Sequence, residues 1–167
     1  MSRVFLVGDN VDTDQLAPGQ YMRGGIEAIA AHCLEAVRPG FAASVRPGDV
    51  LVGGENFGIG SSREQAAEAL RYLGVAVVVA RSFAGIFYRN AINIGLPVLV
   101  ADDLSGVEDG DRCGFFLEDG ELRLVDKHRV VRLRPLPDNL KLMLSDGGLV
   151  PHLKKRFATR REGQARP

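Results

Sequence analysis

Short apolar runs alternate with amphipathic stretches between residues 49 and 101. The apolar runs DVLV, VAVVVA and LPVLVA have the length of strands, and their unbroken apolar character is typical of strands buried on both faces. The stretches between them, SSREQAAEALRYLG and SFAGIFYRNAINIG, carry apolar residues at helical spacing and end in Gly74 and Gly95, where helix C-caps belong. The pattern predicts a β-α-β-α-β unit with parallel strands.

The regions on either side of this unit have different patterns. An N-terminal strand, RVFLVG, leads through a polar loop to IEAIAAHCLEAV, whose periodicity predicts a helix from Ile26 to Val37. Beyond residue 101, alternating segments on both sides of Asp119-Gly120 predict a β-hairpin, and a short helix is expected near 138–145.

The fold class that these elements predict is α/β: a mixed, largely parallel sheet with flanking helices and a C-terminal β-hairpin region. A length of 167 residues and a hydrophobic content of 46% suit one domain with a sizeable core. We expect that domain to span residues 1–156. Residues 157–167 are expected to form a basic, flexible tail, with about the last eight disordered.

Charge, the N-terminal sequence and the cysteine content limit which partners and which cellular compartment we expect. Lys and Arg number 21, as do Asp and Glu, so no general attraction to nucleic acid is expected. The first residues turn polar too soon for a signal peptide, and no apolar run has the length of a membrane helix, so we expect a cytoplasmic protein without membrane contact. Cys33 and Cys113 are far apart and indicate neither a disulfide framework nor a metal site.

The glycine-rich segment GGENFGIGSSREQ, residues 53–65, is the main candidate for chemistry. A dinucleotide fingerprint would need glycine where Arg63 stands, and a P-loop would need a lysine that the segment lacks. Ser61 and Glu64 fit a capping box at the start of a helix. The alternative is an anion site, in which loop N–H groups, the helix N-terminus and Arg63 hold a carboxylate. Both interpretations remain open at this point.

Other types of site are disfavoured. Asp9, Asp12 and Asp14 crowd into one loop, but the glycine and the distal glutamate of a calcium loop are missing. The three histidines lie at no metal-binding spacing, and the G-x-S-x-G motif of a serine hydrolase is absent from the sequence. We therefore expect no metal in this chain.

Four motifs in order carry a resemblance to a known family: NVDTDQLAPGQYM, GDVLVGGENFGIGSSREQAAEAL, SFAGIFYRNAINIGLPVLV and GGLVPHLKKR. Over roughly residues 4–156 the chain resembles the small subunit of 3-isopropylmalate dehydratase. That family is the separate-chain form of the aconitase swivelling domain and also includes small subunits of homoaconitase and related hydro-lyases. The resemblance implies a single swivelling domain of the aconitase type.

The resemblance also implies an activity that needs two chains. The implied reaction is the dehydration or isomerisation of a 2-hydroxy diacid, with 3-isopropylmalate in leucine biosynthesis as the main expectation. The partner is a large subunit that carries a [4Fe–4S] cluster, in a heterodimer or a heterotetramer. No cofactor is expected in this chain, because two remote cysteines cannot hold such a cluster.

By the same resemblance, Ser61 is the base that removes a proton beside a carboxylate, and Arg63 binds a substrate carboxylate. Further substrate contacts are expected from Ser62 and from the loop residues Tyr21, Met22 and Arg23. Supporting positions are Asp14, Gly58, Gly60 and Glu64. In the loop, an arginine suits an extra carboxylate, whereas apolar residues suit an isopropyl group.

Three departures from the family pattern leave the substrate open. The usual S-S-R-E-H ends in Gln65, the frequent G-C-G contains Ile59, and F-A-R-I contains Gly85. Gln65 and Gly85 remove chargeable groups near the expected site. The alternatives are a small subunit of homoaconitase or of a dimethylmalate- or methylmalate-type dehydratase, or a non-catalytic relative that keeps the fold.

Overall fold

Seven strands lie in one sheet in the computed structural model, which describes residues 1–164. In chain order they are β1 (Ser2–Leu6), β2 (Val50–Val52), β3 (Val77–Ala80), β4 (Val98–Val100), β5 (Arg112–Phe116), β6 (Glu121–Leu124) and β7 (Arg129–Arg132). Across the sheet the order is β4-β3-β2-β1-β5-β6-β7. The first four strands are parallel, and β5, β6 and β7 continue the sheet from β1 as an antiparallel meander. The predicted α/β fold is confirmed, and the predicted hairpin gains a third strand.

The helices connect and flank these strands. They are α1 (Thr13–Leu16), α2 (Gly25–Ala31), α3 (Phe41–Ser44), α4 (Gln65–Tyr72), α5 (Gly85–Asn93), α6 (Asp138–Ser145) and α7 (Leu149–Gln164), with a 3-10 helix at Gly19–Gly24. Gly74 and Gly95 directly follow the C-cap residues of α4 and α5. Their φ values of +85° and +83° are in the left-handed region, which residues with a side chain rarely adopt. The predicted β-α-β-α-β unit is therefore confirmed.

The two parallel strands β2 and β3 are buried along their whole length. An aromatic cluster lies where the loop after β2 meets α5. Phe57, which is 1% exposed, packs its ring against Phe83 and Phe87, with centroid distances of 5.9 and 5.3 Å. This packing fixes the glycine-rich loop to the core at one point.

The helix predicted from Ile26 to Val37 is wrong in its second half, because α2 ends at Ala31. Leu34 is fully buried and has a φ of +61°, which a helix does not allow. Its N–H donates to the carbonyl of Gln15 at 2.8 Å. A contact with a distant loop, which periodicity alone does not reveal, therefore ends the helix.

The C-terminal region contains a helix that the sequence did not predict, α7. Where a basic tail was expected from residue 157, α7 continues to Gln164, and the expected domain boundary at 156 falls inside this helix. The remaining residues of the expected tail, 165–167, lie outside the described residues. Within residues 1–164, no helix combines the length and the apolar character needed to cross a membrane.

Candidate functional site

Two loops lie side by side at one edge of the sheet, one following β1 and the other following β2. The N–H of Gly58 donates to the carbonyl of Val11 at 2.7 Å, and the N–H of Thr13 donates to the carbonyl of Ile59 at 2.8 Å. Since β1 and β2 are parallel, both loops start from the carboxyl ends of their strands. Ligands of open α/β sheets bind at this edge.

Two glycines of the loop allow this close pairing. Gly58 has a φ of +83°, and a Cβ at this position would overlap the Phe87 ring. Gly60 has a φ of +110°, and a Cβ there would lie 2.9 Å from Thr13 Oγ1. Any side chain at either position would be strained and would push the loop away from its neighbour. The two predicted supporting residues, Gly58 and Gly60, thus allow the backbone conformation of the loop and its close contact with neighbouring residues.

Thr13 holds Ser61 through two contacts. The N–H of Ser61 donates to Thr13 Oγ1 at 3.1 Å, and the two hydroxyl oxygens lie 3.2 Å apart. Thr13 is 3% exposed, whereas Ser61 is exposed. Because Thr13 Oγ1 accepts the amide hydrogen, its own hydroxyl hydrogen can be donated to Ser61 Oγ. The arrangement leaves Ser61 exposed, with the Thr13 hydroxyl close enough to donate to its Oγ or to accept from it.

The capping box expected from Ser61 and Glu64 is not formed. α4 begins at Gln65, and its N-cap, Glu64, is itself helical, with no side-chain cap. Ser61 lies too far ahead of the helix to cap it, and its contacts are made to Thr13 instead. A capping box is found at α1, where Asp12 and Gln15 bond each other's N–H groups at 2.8 and 3.0 Å.

Arg63 is held next to Ser61 by the other loop. Its Nη1 donates to Asp14 Oδ1 and to the carbonyl of Ala17, both at 2.8 Å. The hydrogen bond from Arg63, followed by that from the N–H of Gly19, lowers the pKa of the Asp14 carboxyl below its ordinary value of 3.8. Nη2 and Nε donate to none of the described residues. Two guanidinium donors are therefore left for an anion.

Backbone donors add to this positive environment. In the described part of the chain, no acceptor pairs with the N–H groups of Ser62, Arg63 and Glu64, which precede the first turn of α4. The carbonyl of Ser62 accepts from Asn90 Nδ2 of α5 at 3.4 Å. Unpaired N–H groups at a helix N-terminus favour a negatively charged ligand. The anion-site interpretation thus fits this geometry better than the capping box.

The loop residues Tyr21, Met22 and Arg23, from which further substrate contacts are expected, lie in the 3-10 helix and are called the specificity loop below. Their side chains take different positions. Tyr21 stacks on His32 with 3.5 Å between ring centroids, and His32 Nδ1 lies 2.6 Å from Glu35 Oε2. Met22 is half-buried against the core. Arg23 is exposed and forms no salt bridge with another described residue. The structure alone does not bring these three side chains into contact with Ser61.

The surface around Ser61 is open. A cavity of about 340 Å³ lies beside the site, lined by Asp12, Asp14 and Gln15 together with the start of the 3-10 helix. Neither this cavity nor a second one of about 630 Å³ between α6 and α7 includes Ser61 in its lining. Ser61 therefore lies on open surface beside this cavity and not within it.

The three residues that depart from the family pattern, Ile59, Gln65 and Gly85, lie in the glycine-rich loop and at the starts of α4 and α5. Ile59 contributes the carbonyl that pairs with Thr13, and Gln65 is the half-buried first residue of α4. Gly85 is the first residue of α5, is exposed, and has no atom within 4 Å of a Cβ placed on it. The backbone therefore does not demand glycine at position 85.

The cysteines do not fit the ligation of an iron–sulfur cluster. Cys33 follows α2 and Cys113 lies on β5, and both are buried. Burial raises the pKa of the Cys113 thiol to about 11 and raises that of Cys33 further. Because the thiolate is the form that binds iron, neither side chain suits that role.

Sequence reasoning missed two residues of the site. Thr13 contacts Ser61 directly, and Asn90 supports the backbone of Ser62. The motif NVDTDQLAP contained the signal for Thr13, because the loop that supplies Asp14 supplies the threonine as well. Asn90 carried no signal, since its contact depends on how α5 packs against the loop.

Comparisons with known proteins agree along nearly the whole chain. Residues 43–103 match the family of the aconitase C-terminal domain. The methanogen homoaconitase small subunit of Methanothermobacter thermautotrophicus is 48% identical over 158 residues, which cover 94% of this chain and 92% of that protein. A 3-isopropylmalate dehydratase small subunit of Thermotoga maritima is 44% identical over 155 residues, 92% of this chain and 93% of that protein.

A solved structure shares the fold. The crystal structure of a 3-isopropylmalate dehydratase from Methanocaldococcus jannaschii superimposes with a TM-score of 0.91 at 40% sequence identity. The superposition covers 97% of this chain and 97% of that one. The two chains therefore share the same fold over nearly their whole length.

Proposed function

Because the chain belongs to the family of 3-isopropylmalate dehydratase small subunits, within the aconitase C-terminal domain family, we propose that it is one half of a hydro-lyase active site. The proposed reaction is the dehydration or isomerisation of a 2-hydroxy diacid. The observation that carries the proposal is the joint placement of Ser61 and Arg63 by the Thr13–Asp14 loop. A serine oxygen and a carboxylate-binding guanidinium then lie on one exposed edge.

Ser61 Oγ is proposed to accept the proton from the carbon next to a substrate carboxylate. A serine is a weak base, so its alkoxide form needs hydrogen-bond donors nearby. The Thr13 hydroxyl, 3.2 Å from Ser61 Oγ, can be one such donor. The N–H groups of Ser62 and Arg63 have no partner in the described chain and are proposed as further donors. A donor that is held in place before substrate arrives, as Thr13 is, would reduce the reorganisation that proton transfer requires.

Arg63 is proposed to bind a carboxylate of the same substrate. Asp14 and the Ala17 carbonyl occupy Nη1, so the plane of the guanidinium is fixed while Nη2 and Nε remain available. Two parallel donors match the two oxygens of a carboxylate. Fixing that carboxylate places the adjacent C–H bond relative to Ser61 and makes proton removal more probable in the bound complex.

The departure of the hydroxyl is proposed to depend on a large subunit, since this chain's described residues offer no group of three or more His, Cys, Asp or Glu for a metal. The names of the relatives as small subunits support such a partner. The family implies that the partner carries a [4Fe–4S] cluster, which would supply a Lewis acid for the leaving oxygen. The open surface around Ser61 is where the two chains would enclose the substrate.

For the substrate, we propose 3-isopropylmalate. Met22 and Tyr21, half-buried in the 3-10 helix, are the apolar side chains of the specificity loop and suit a branched alkyl group. Homoaconitase activity is the second candidate. The exposed Arg23, which forms no salt bridge within the described chain, favours it because an arginine there could bind an additional carboxylate.

Reconstitution tests the proposal. The purified chain alone is expected to be colourless and inactive, and to gain dehydratase activity when mixed anaerobically with its cluster-loaded large subunit. A panel of isopropylmalate, homocitrate, dimethylmalate and methylmalate then identifies the substrate. Turnover by the isolated chain, or no turnover of any hydroxy diacid by an assembled pair, would contradict the proposed function.

A further inference from the structure

Three apolar side chains of α7 form an exposed stripe: Val150, Leu153 and Phe157. Their exposed fractions are 59%, 38% and 58%. Spacings of three and four residues place them along one side of the helix. Leu153 and Phe157, together with the half-exposed Leu142 of α6, form the apolar part of the lining of a cavity of about 630 Å³ between α6 and α7, and polar and charged residues that include Asp146, His152 and Lys155 form the rest. An exposed apolar stripe beside a cavity is a candidate contact site.

Polar contacts of another side of α7 with Asp146, the residue that follows α6, fix the orientation of the helix and of its stripe. His152 Nδ1 lies 2.7 Å from Asp146 Oδ2, and Lys155 Nζ donates to Asp146 Oδ1 at 2.8 Å. Lys155, followed by His152, lowers the pKa of the Asp146 carboxyl, so the charge that holds both partners is kept at neutral pH. The stripe lies on a part of the helix turned away from these contacts.

Charge separates α7 from the rest of the chain. Residues 149–164 contain five Lys or Arg and one acidic residue, Glu162, while residues 1–148 contain 15 Lys or Arg against 20 Asp or Glu. Lys154 and Arg161 lie on one flank of the stripe by helical geometry, and Arg160 lies on the other. The stripe is thus an apolar surface with a basic border, and its complement is an apolar surface with an acidic border.

A second copy of this chain does not supply that complement. Packing stripe against stripe would bring two basic helices together. The acidic residues of the body are also largely engaged within it, as shown by the pairs Asp102–Arg134 and Asp103–Arg129. A flat lipid surface fits poorly as well, because the stripe borders a cavity that a protruding side chain would fill.

We infer that the α7 stripe docks on an apolar patch with acidic surroundings on the cluster-bearing large subunit. This inference rests on the proposed function for the existence of that partner. It adds a second contact surface, distinct from the edge that carries Ser61. An amphipathic helix whose apolar face meets a partner groove is a recurring mode of protein recognition.

α7 begins at the edge of the sheet opposite to the one that carries Ser61. α7 starts after Gly147 and Gly148, whose backbone passes against Asn93 and Gly95 at the C-terminal end of α5. That end leads into β4 and therefore lies at the amino ends of the parallel strands, whereas Ser61 follows the carboxyl end of β2. Loss of the contact should weaken assembly without changing turnover in the assembled enzyme.

The test titrates a fixed amount of anaerobically loaded large subunit with this chain and reads dehydratase activity. Phe157→Glu is expected to raise the half-saturating concentration roughly tenfold or more, with the plateau activity of the wild type. Val130→Glu, on β7 and 44% exposed, is the matched control and should leave the curve unchanged. Sedimentation of the same mixtures measures assembly independently of turnover.

Salt provides a second measurement that needs no apolar substitution. The wild-type half-saturating concentration should rise with NaCl, and Lys154→Ala combined with Arg161→Ala should reduce that rise. The inference is overturned if Phe157→Glu titrates as the wild type does, lowers the plateau instead, or alters only self-association or binding to anionic lipid vesicles. Failure of the proposed function would look different, because the wild-type pair would then assemble without turnover or not assemble at all.

Discussion

Thr13 and Ser61 are 48 positions apart in the sequence, and their hydroxyl oxygens lie 3.2 Å apart in the structure. The same threonine oxygen accepts the N–H of Ser61 at 3.1 Å. One nearly buried side chain therefore sets both the backbone position of the serine and the hydrogen bonding of its hydroxyl. Thr13 is a positioning residue for the proposed base.

Thr13→Val should lower kcat in the reconstituted enzyme by roughly tenfold or more, about 1.4 kcal/mol, with a smaller change in KM. Valine has nearly the shape of threonine but cannot accept the N–H of Ser61 or donate to its Oγ. Thr13→Ser, which keeps the hydroxyl, is the control and should retain most of the activity. Equal losses in both variants would show that Thr13 matters for packing and not for its hydroxyl.

Asp14→Asn should raise KM, because Asn binds Arg63 less strongly than a carboxylate and leaves its guanidinium less well oriented. The pKa of Asp14 is lowered in the folded chain, so its ionised form contributes stability above the ordinary pKa of 3.8, and this contribution is lost as pH falls through the lowered value. Thermal melts of wild type and variant should therefore differ at pH 6 and converge at pH values below 3.8. A difference that grows on acidification would contradict this sign.

The preference between substrates should depend on Arg23. We expect the wild type to favour isopropylmalate over homocitrate, since in a glycine-flanked loop an exposed arginine is better left hydrated than buried without a partner. Arg23→Ala should then change the ratio of kcat/KM values little. If the wild type instead prefers homocitrate, and the variant loses that preference by roughly tenfold or more, Arg23 binds a carboxylate and the enzyme is a homoaconitase.

Gly85→Ala should stabilise the folded chain. Gly85 is the first residue of α5, lacks a positive φ, and leaves open space where a Cβ would lie. Alanine restricts the unfolded chain more than glycine does, so the free energy of unfolding should increase by about 0.4–1 kcal/mol. Chemical denaturation measures this directly. A decrease would reveal a conformational demand on position 85 that the backbone does not show.

The sequence predicted those parts of the fold that depend on local patterns. Apolar runs and C-terminal glycines located β2, β3 and β4 with α4 and α5 between them, because burial on both faces leaves an unbroken apolar signal. Contacts between distant segments were not predictable. α2 ends early because Leu34 bonds Gln15, and the capping box of Ser61 and Glu64 fails because Thr13 engages the serine.

The site shows the same division. The motif identified Ser61 and Arg63 through a family resemblance, and the geometry now brings Asp14 next to Arg63. Their roles in catalysis stay predictions. The positions of Tyr21 and Met22 relative to substrate also remain predictions, since neither side chain contacts Ser61 within this chain.

The most direct test of the account is kcat for Ser61→Ala in the reconstituted two-chain enzyme. If Ser61 is the base, kcat should fall by roughly a hundredfold or more while KM changes little, because the lost group acts in the transition state. Sedimentation should show that the variant assembles with the large subunit as the wild type does, because the substitution removes only one exposed hydroxyl group. A variant that assembles normally and turns over at close to the wild-type rate would contradict the assignment of Ser61 as the base.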